Sequence, residues 1–428
     1  MLLQAGQLFI RSMDYKETLD FALYLDAKDE LKGYRNQFHI PLQRNGEEHI
    51  YMCGNSLGLQ PKITKDFLNQ ELDDWATFGV EGHFQAKNPW MPYHEFLTES
   101  YARIVGAKQS EVVAMNTLTV NLHLMMVSFY RPTAKKHKII IEEDAFPSDI
   151  YAVESQIEHH GFSAASSLIK LKSRDGESSI RTEDIAEIIA KDEGEIALIM
   201  LGGVNYYTGQ VFDFERITKI AHSKGINVGF DLAHAAGNIK LELHEWGVDF
   251  AVWCSYKYLN SGPGSVAGAF IHEKHHHSNL PRFAGWWGHN KEDRFKMPDS
   301  FLPINTAEGW QLSNPPILSL AAIRASLSIF DEVGMDKLLD KSKELTGYLL
   351  FLLSTINSER ISIITPKERG CQLSIRVENG NKKLFGSITE KGVIADWRDP
   401  DVIRIAPVPL YNSFEDVFKF YTILKDAL

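Results

Sequence analysis

The fold is decided by four consecutive segments: EIALIML (195–201), DFERITKIAHSK (213–224), INVGF (226–230) and FAVWC (250–254). The first, third and fourth are short and almost continuously apolar, as strands buried on both faces are. The second is amphipathic, opens at Asp213 and stops before Gly225, which is the capping pattern of a helix. We read the order as strand, helix, strand, short helical stretch, strand. This order predicts an α/β fold with a mainly parallel sheet flanked by helices.

The rest of the chain adds a second, smaller α+β unit. KIIIE (138–142) predicts another strand of the main sheet, and 317–330 predicts an apolar helix. Strands are expected at 371–377 and at 402–405, the latter ended by Pro407 and Pro409. Asn412 and Ser413 offer an N-cap for a last helix reaching Leu428. We therefore expect an N-terminal segment (1–60) packed on the small domain, a large ligand-binding domain (61–310) and a small C-terminal domain (311–428).

Composition excludes several classes of protein. The chain has 428 residues, 44% hydrophobic and 24% charged, which indicates a globular protein. Its net charge of −11 predicts no nucleic-acid partner, because an acidic surface repels phosphate backbones. Three well-separated cysteines, Cys53, Cys254 and Cys371, predict a reducing, cytoplasmic location. No run of about 18 apolar residues occurs, so we expect no membrane span.

Two further features are expected to carry no function. Residues 1–10 lack the basic region and cleavage site of a signal peptide, and Met13 is an alternative start. The run His275-His276-His277 suggests a metal site, but three adjacent side chains cannot face one ion from a regular element. We expect a solvated loop there and no metal in the protein.

Candidate chemistry falls at strand ends, where α/β sheets bind their ligands. Asp231 follows INVGF, and Lys257 follows FAVWC. An amine that can form a Schiff base and a carboxylate that can pair with a protonated pyridine nitrogen suit pyridoxal 5′-phosphate. Each residue has a simpler reading: Asp231 as a helix N-cap and Lys257 as a surface residue. Together, in this strand context, they favour the cofactor site.

At this point the chain resembles the fold-type-I pyridoxal-phosphate enzymes (class V aminotransferase-like), and among them the kynureninase family. The motifs that carry the resemblance are GNSLGLQP (54–61), NTLTVNLH (116–123), FPSD (146–149), GFDLAH (229–234), WCSYKYLN (253–260), GWWGH (285–289), SNPP (313–316) and RIAPVPLYN (404–412). NTLTVNLH, WCSYKYLN and RIAPVPLYN are specific, whereas GNSLG or FPSD alone would be weak. The motifs keep the family's order over nearly the whole chain.

The resemblance implies roles for individual residues. Lys257 would hold pyridoxal 5′-phosphate, Asp231 would pair with its ring nitrogen, and Tyr256 would donate a proton during catalysis. The implied cofactor-binding residues are Leu118, Thr119, Phe146, Pro147, Ser148, Asp149, Asp231, His234, Tyr256, Lys257, Trp286 and Asn314. The implied substrate-binding residues are Ser56, His83, Asn314 and Arg404. Several have structural alternatives: Phe146 as core packing, Trp286 as a packed aromatic loop, Arg404 as a strand-edge residue, and His83, Ser56 and Asn314 as loop and turn residues.

The resemblance also implies the reaction. It would be hydrolysis of L-kynurenine or 3-hydroxy-L-kynurenine to L-alanine and anthranilate or 3-hydroxyanthranilate, in tryptophan catabolism and NAD biosynthesis. The hydroxylated substrate is expected to be preferred, because polar His83 and Asn314 would meet the extra hydroxyl. A homodimer with shared active sites is expected if Trp286 crosses an interface. Gly202 stands where some members carry a polar residue, so we expect only backbone contacts from it.

Two alternatives stay open. The first is another fold-type-I reaction, such as that of a cysteine desulfurase or an aminotransferase. A desulfurase needs a mobile reactive cysteine, and none of the three stands in a convincing Gly/Ser-rich loop. The second is a non-catalytic scaffold that keeps the fold, which would predict loss of Lys257 or Asp231; both are present.

Overall fold

The structure is a computed structural model that describes residues 14–380 and 382–428. The strands are β1 (Ile50–Tyr51), β2 (Val112–Ala114), β3 (Lys138–Glu142), β4 (Leu168–Leu171), β5 (Ile196–Gly202), β6 (Asn227–Asp231), β7 (Phe250–Trp253), β8 (Gly268–Ile271), β9 (Ile361–Ile363), β10 (Leu373–Val377), β11 (Val393–Ile394), β12 (Asp396–Arg398) and β13 (Val402–Ile405). The helices are α1 (Leu19–Lys28), α2 (Thr64–Phe78), α3 (Gly82–Gln85), α4 (Thr98–Val105), α5 (Leu118–Phe129), α6 (Pro147–His159), α7 (Ala164–Ser167), α8 (Thr182–Ala190), α9 (Phe214–Ser223), α10 (Ile317–Val333), α11 (Met335–Ser354), α12 (Lys382–Glu390) and α13 (Phe414–Ala427).

A seven-stranded sheet in the order β2-β8-β7-β6-β5-β3-β4 forms the centre of the large unit. Strands β4, β3, β5, β6 and β7 pair in parallel, and β8 pairs antiparallel with both β7 and β2. All residues of β7, and all of β5 except its last, are buried, because helices cover both faces. The predicted α/β class with a mainly parallel sheet is confirmed.

Most predicted elements appear within one or two residues of their expected bounds. Asp213 caps α9, where its carboxylate accepts a hydrogen bond from the Arg216 backbone N–H at 3.0 Å. The chain leaves that helix at Gly225, whose φ of 65° suits a residue without a side chain. Helix α10 runs three residues beyond the predicted end, to Val333, and stops at Gly334.

Two expectations are wrong. Residues 232–249 form hydrogen-bonded turns rather than the predicted short helical stretch, because Gly237 and Gly247 have φ of 76° and 68° and interrupt a right-handed helix. The histidine run is not a solvated loop. It begins in a 3₁₀ turn, Glu273–His275, His275 Nε2 bonds Asp249 at 2.8 Å, and His276 is buried with Nε2 2.9 Å from the Ile271 carbonyl.

A four-stranded antiparallel sheet, β12-β13-β10-β9, forms the smaller C-terminal unit. The N-terminal segment lies against it: β1 pairs in parallel with β11, and α1 packs on α13. Apolar side chains from α1, β1, α11, β10 and α13 share one core cluster. The boundaries expected at 60 and 310 stay predictions. Residues 1–13, with the proposed alternative start, lie outside the described residues.

Among the described residues, no helix combines the length and the apolar character that crossing a membrane requires.

Candidate active site

Strand ends of the large sheet meet around one pocket. Glu142 ends β3, Gly202 ends β5, Asp231 ends β6, and Lys257 lies just beyond β7. Neighbouring parallel strands end at the same edge of a sheet, so these four residues come together although they are distant in sequence. The full lining is Leu118, Thr119, Glu142, Phe146, Ser148, Asp149, Gly202, Val204, Tyr206, Asp231, Ala233, His234, Tyr256 and Lys257.

The Lys257 side chain lines this pocket. Its Nζ is 3.1 Å from His234 Nε2 and 5.9 Å from the centroid of the Phe146 ring. Burial, reinforced by the charge of Lys257, holds the pKa of His234 well below its usual range. His234 therefore stays neutral and accepts a hydrogen bond from the amine, which orients Nζ without adding a second positive charge.

Asp231 provides the buried carboxylate. It accepts a hydrogen bond from the Ala233 backbone N–H at 2.7 Å. Burial raises the pKa of Asp231, and the positive charge of Lys257 opposes that rise. Burial raises the pKa of Asp149 well above its usual value, and the negative charges of Asp231 and Glu142 add to this effect. The pKa is raised more strongly at Asp149 than at Asp231, because the positive charge of Lys257 offsets more of the effect of burial at Asp231.

Two helix N-termini contribute donors to the pocket. Leu118 and Thr119 open α5, so the backbone N–H groups of the first turn have no partner within the helix. The hydroxyl groups of Thr119 and Ser148 are 3.0 Å apart. Ser148 lies in the first turn of α6, which Pro147 opens directly after Phe146. This combination of free N–H groups, hydroxyls and helix dipole suits an anion such as a phosphate.

Arg404 lies in a second, adjoining cluster. Its guanidinium is 1% exposed and pairs with Asp396, with Nη2 2.6 Å from Oδ2 and Nε 3.3 Å from Oδ1. Its Nη1 donates to the Tyr206 carbonyl at 2.7 Å, and Ser56 Oγ lies 3.3 Å from Nη2. The Tyr206 ring joins the two clusters, because it packs edge-to-face on Phe146 with centroids 5.4 Å apart. Arg398 also pairs with Asp396, so two guanidinium groups face one carboxylate.

Six predicted site residues do not line the Lys257 pocket within one chain. Pro147 opens α6 beside it, and Ser56 and Arg404 form the adjoining cluster. The other three lie farther away. His83 lies in α3 with Nδ1 2.9 Å from the Val80 carbonyl. The Trp286 indole N–H donates to the Arg294 carbonyl at 3.3 Å. Asn314 is exposed in the loop before α10. Their assigned roles stay predictions.

Sequence reasoning missed four polar residues of these clusters: Glu142, Tyr206, Asp396 and Arg398. Glu142 ends β3, and Asp396 and Arg398 are the two ends of β12, so a position at a strand end is the signal that could have singled out these three. Tyr206 lies in the loop after β5. Gly202 contributes a backbone N–H, which donates to Glu142 Oε1 at 2.9 Å, in keeping with the backbone role expected of it.

Solved structures of similar fold include the cystine C–S lyase C-DES, as a lysine-to-alanine mutant with glycine covalently linked to its PLP cofactor. Its TM-score is 0.77 at 15% identity, covering 92% of this chain and 99% of that one. A cysteine desulfurase from Thermococcus onnurineus NA1 matches with a TM-score of 0.76 at 17% identity, covering 92% and 97%. At such identities the likeness concerns the fold alone.

Curated relatives are much more similar in sequence. The kynureninase of Koribacter versatilis is 58% identical over 410 residues, covering 95% of this chain and 97% of that protein. The kynureninase of Flavobacterium psychrophilum is 55% identical over 423 residues, covering 97% and 99%. The kynureninase C-terminal domain family matches residues 338–424. On these identities and coverages, the chain belongs to the kynureninase family.

Proposed function

We propose that this enzyme binds pyridoxal 5′-phosphate in the Lys257 pocket and hydrolyses L-kynurenine and 3-hydroxy-L-kynurenine to L-alanine and anthranilate or 3-hydroxyanthranilate. The observation that carries the proposal is the convergence of Lys257, Asp231 and Phe146 on one pocket. In the cell the reaction would take place in the cytoplasm and serve tryptophan catabolism and NAD biosynthesis.

The residues of the pocket fit the cofactor. The N-terminus of α5, with Thr119 and Ser148, offers donors to a phosphate. Phe146 offers a ring face to an aromatic ligand. Asp231 offers a buried carboxylate to a protonated ring nitrogen, and Lys257 offers the amine for a Schiff base. His234 Nδ1 and Asp149 Oδ1 are buried without a hydrogen-bond partner among the described residues. Each of these atoms can therefore form a hydrogen bond with a ligand.

The bound cofactor supplies an electron sink for the carbanion that forms at the substrate Cα. Lys257, once free, is placed to remove the Cα proton, with Nζ oriented by neutral His234. Water adds to the γ-carbonyl carbon of the substrate, and the Cβ–Cγ bond breaks to release the aromatic acid. Tyr256, next in sequence, is the proposed donor of a proton to the β-carbon that becomes the methyl group of alanine. Burial raises the pKa of Tyr256, so its hydroxyl retains the proton it must deliver.

Arg404 is the proposed partner of the substrate carboxylate, with Ser56 beside it. Asp396 occupies the Nε–Nη2 edge of the guanidinium, and the hydrogen bonds of the other edge to described residues go only to the neutral oxygens of Tyr206 and Ser56. A carboxylate would replace these weaker acceptors with charge-assisted hydrogen bonds. Arg404 and Arg398 carry two positive charges and Asp396 carries one negative charge. One net positive charge therefore remains to attract the substrate carboxylate.

We further propose a homodimer with shared active sites. His83 lies 5.4 Å from Trp90 between ring centroids, and Asn314 precedes Pro316 in the chain. Trp90 and Pro316 both line an apolar surface groove with Trp75, Ile317 and Leu318. If a second copy covers this groove, His83 and Asn314 come to lie at the interface, where they could complete the partner's pocket. Trp286 would likewise reach across the interface to the pocket of the other subunit.

The desulfurase alternative is disfavoured by the cysteines. Cys254 and Cys371 are buried and Cys53 is partly buried. Burial raises the pKa of each thiol, whereas a reactive cysteine needs an accessible thiolate.

The Lys257→Ala variant tests the cofactor assignment. We expect it to lose the visible absorbance of a lysine-bound cofactor and the release of fluorescent anthranilate from kynurenine. The Lys274→Ala variant, which removes a partly exposed lysine paired with Asp249, is the control. Retained absorbance together with normal turnover in Lys257→Ala would rule out the assignment.

Substrate preference is tested by parallel kinetics with the two substrates. We expect a higher kcat/KM for 3-hydroxykynurenine, because unpaired polar groups of His83 and Asn314 would penalise the substrate that lacks the hydroxyl. We expect the Asn314→Ala variant to narrow that difference. A higher kcat/KM for plain kynurenine in the wild-type enzyme would contradict the preference.

A further inference from the structure

Glu142 places an unassigned carboxyl group in the pocket. It is the last residue of β3 and is 2% exposed. Its Oε1 accepts a hydrogen bond from the Gly202 backbone N–H at 2.9 Å. Its Oε2 is buried and, among the described residues, has no hydrogen-bond partner. An unpaired oxygen of this kind in a ligand pocket indicates a partner that arrives with the ligand.

The absence of a side chain at position 202 makes room for this carboxyl. A Cβ built on Gly202 would lie 2.9 Å from Glu142 Oε1. In the sheet, Gly202 on β5 pairs with Asp231 on β6. The Glu142 carboxyl therefore occupies the space above Gly202, beside the strand that carries the principal carboxylate of the pocket.

The charges around Glu142 favour its neutral form. Asp149 faces the pocket from α6, Asp231 from β6, and Lys257 and His234 from the segments after β7 and β6. Three carboxyls thus face one ammonium, since His234 stays neutral. Burial, with a contribution from the negative charge of Asp231, raises the pKa of Glu142 to about 7. Because Oε1 accepts from Gly202, the proton of the neutral acid lies on Oε2.

The other parts of the cofactor already have partners in the proposed function. The N-terminus of α5 would hold the phosphate, Asp231 would pair with the ring nitrogen, and Lys257 would join the carbonyl carbon. The ring hydroxyl oxygen is the polar substituent of the cofactor that still has no partner on the protein. We propose that Glu142 is a cofactor-binding residue, a neutral carboxylic acid that donates Oε2–H to the ring hydroxyl oxygen of pyridoxal 5′-phosphate. This inference rests on the proposed function.

The test is cofactor binding to the apoenzyme, followed by absorbance. Glu142→Gln keeps an acceptor for Gly202 and a donor for the ligand, so its affinity should stay within about threefold of wild type. Glu142→Leu has similar volume but no donor, so its affinity should fall by about tenfold or more. The matched controls are Glu143→Gln and Glu143→Leu, since Glu143 is the next residue and its carboxylate pairs with Lys172 at the surface. Both controls should bind as wild type.

A cofactor analogue identifies the acceptor. With 3-deoxypyridoxal 5′-phosphate, which lacks the ring oxygen, wild type and Glu142→Leu should bind equally well. In wild type, affinity for the normal cofactor should fall as pH rises through about 7, because ionisation of Glu142 removes its donor and adds negative charge. Glu142→Gln should lose this component of the pH dependence.

Three results would overturn the assignment: wild-type affinity in Glu142→Leu, equal weakness of the Gln and Leu variants, or an undiminished defect with the deoxy analogue. If Glu142→Leu does not fold, the assignment is tested instead by the pH series and by the analogue comparison, both carried out on Glu142→Gln. Failure of the wild-type apoenzyme to bind pyridoxal 5′-phosphate would instead refute the proposed function itself, and this inference with it.

Discussion

At the scale of single residues, Arg404 shows how a buried charge is prepared for a ligand. Its strand β13 pairs with β12, and the register sets Asp396 directly opposite Arg404. The carboxylate compensates the cost of burying the guanidinium, which would be several kcal/mol if it were unpaired. The planar group is then fixed in one orientation.

Arg404→Lys should raise the KM for kynurenine by about tenfold or more, with a smaller change in kcat. An ammonium keeps the charge but cannot form the paired hydrogen bonds of a guanidinium. Affinity for kynuramine, which lacks the carboxylate, should be unchanged. Arg376→Lys, on the neighbouring strand β10 and paired with Asp401, is the control. A KM equal to wild type would exclude Arg404 as the carboxylate partner.

At the scale of elements, the N-terminus of α13 joins the two ends of the chain. Ser413 caps the helix, with its hydroxyl accepting from the Asp416 N–H at 3.0 Å. Asp26, on α1, accepts from the Phe414 and Glu415 N–H groups at 2.8 and 2.9 Å. Three of the first free N–H groups are therefore satisfied, one of them locally and two by a helix almost 400 residues earlier in the chain.

Ser413→Ala should lower the free energy of unfolding by about 1 kcal/mol, because the Asp416 N–H loses its acceptor. Thr422→Ala removes a hydroxyl from the exposed side of the same helix, where it bonds the Phe418 carbonyl, and serves as control. Urea denaturation followed by circular dichroism would measure both. An equal effect of the two variants would mean that the cap contributes nothing specific.

At the scale of the whole molecule, the proposed active site is divided between pieces that one chain does not bring together. Lys257, Asp231 and Phe146 share one pocket, whereas Trp286 and Asn314 lie elsewhere on the same chain. Shared sites in a twofold dimer would unite the two groups.

Subunit mixing tests this arrangement. Lys257→Ala and Trp286→Ala, each weakly active or inactive alone, should regain up to about a quarter of wild-type activity when unfolded together and refolded. Half of the random dimers are mixed, and each mixed dimer contains one intact site. Lys257→Ala mixed with Arg404→Gln should show no rescue, because Tyr206 joins Arg404 to the pocket of its own chain. Absence of rescue in the first mixture would contradict shared sites.

The sequence by itself determined the α/β class, most elements and the position of Asp231 and Lys257 at neighbouring strand ends. Runs such as KIIIE and FAVWC can be buried only inside a sheet covered on both faces, and ligand-binding residues in such sheets stand at strand ends. It did not predict the turns at 232–249, because the conformations of Gly237 and Gly247 depend on packing rather than on the apolar pattern.

The tertiary structure alone decided which polar groups face one another. Glu142 contacts Gly202 because β3 and β5 are neighbours in space, and Asp396 holds Arg404 because β12 and β13 pair in one register. Neither contact leaves a trace in composition or periodicity. Hydrophobic patterning fixes which face of an element is buried, whereas the partner of a buried charge is fixed only by strand order and register.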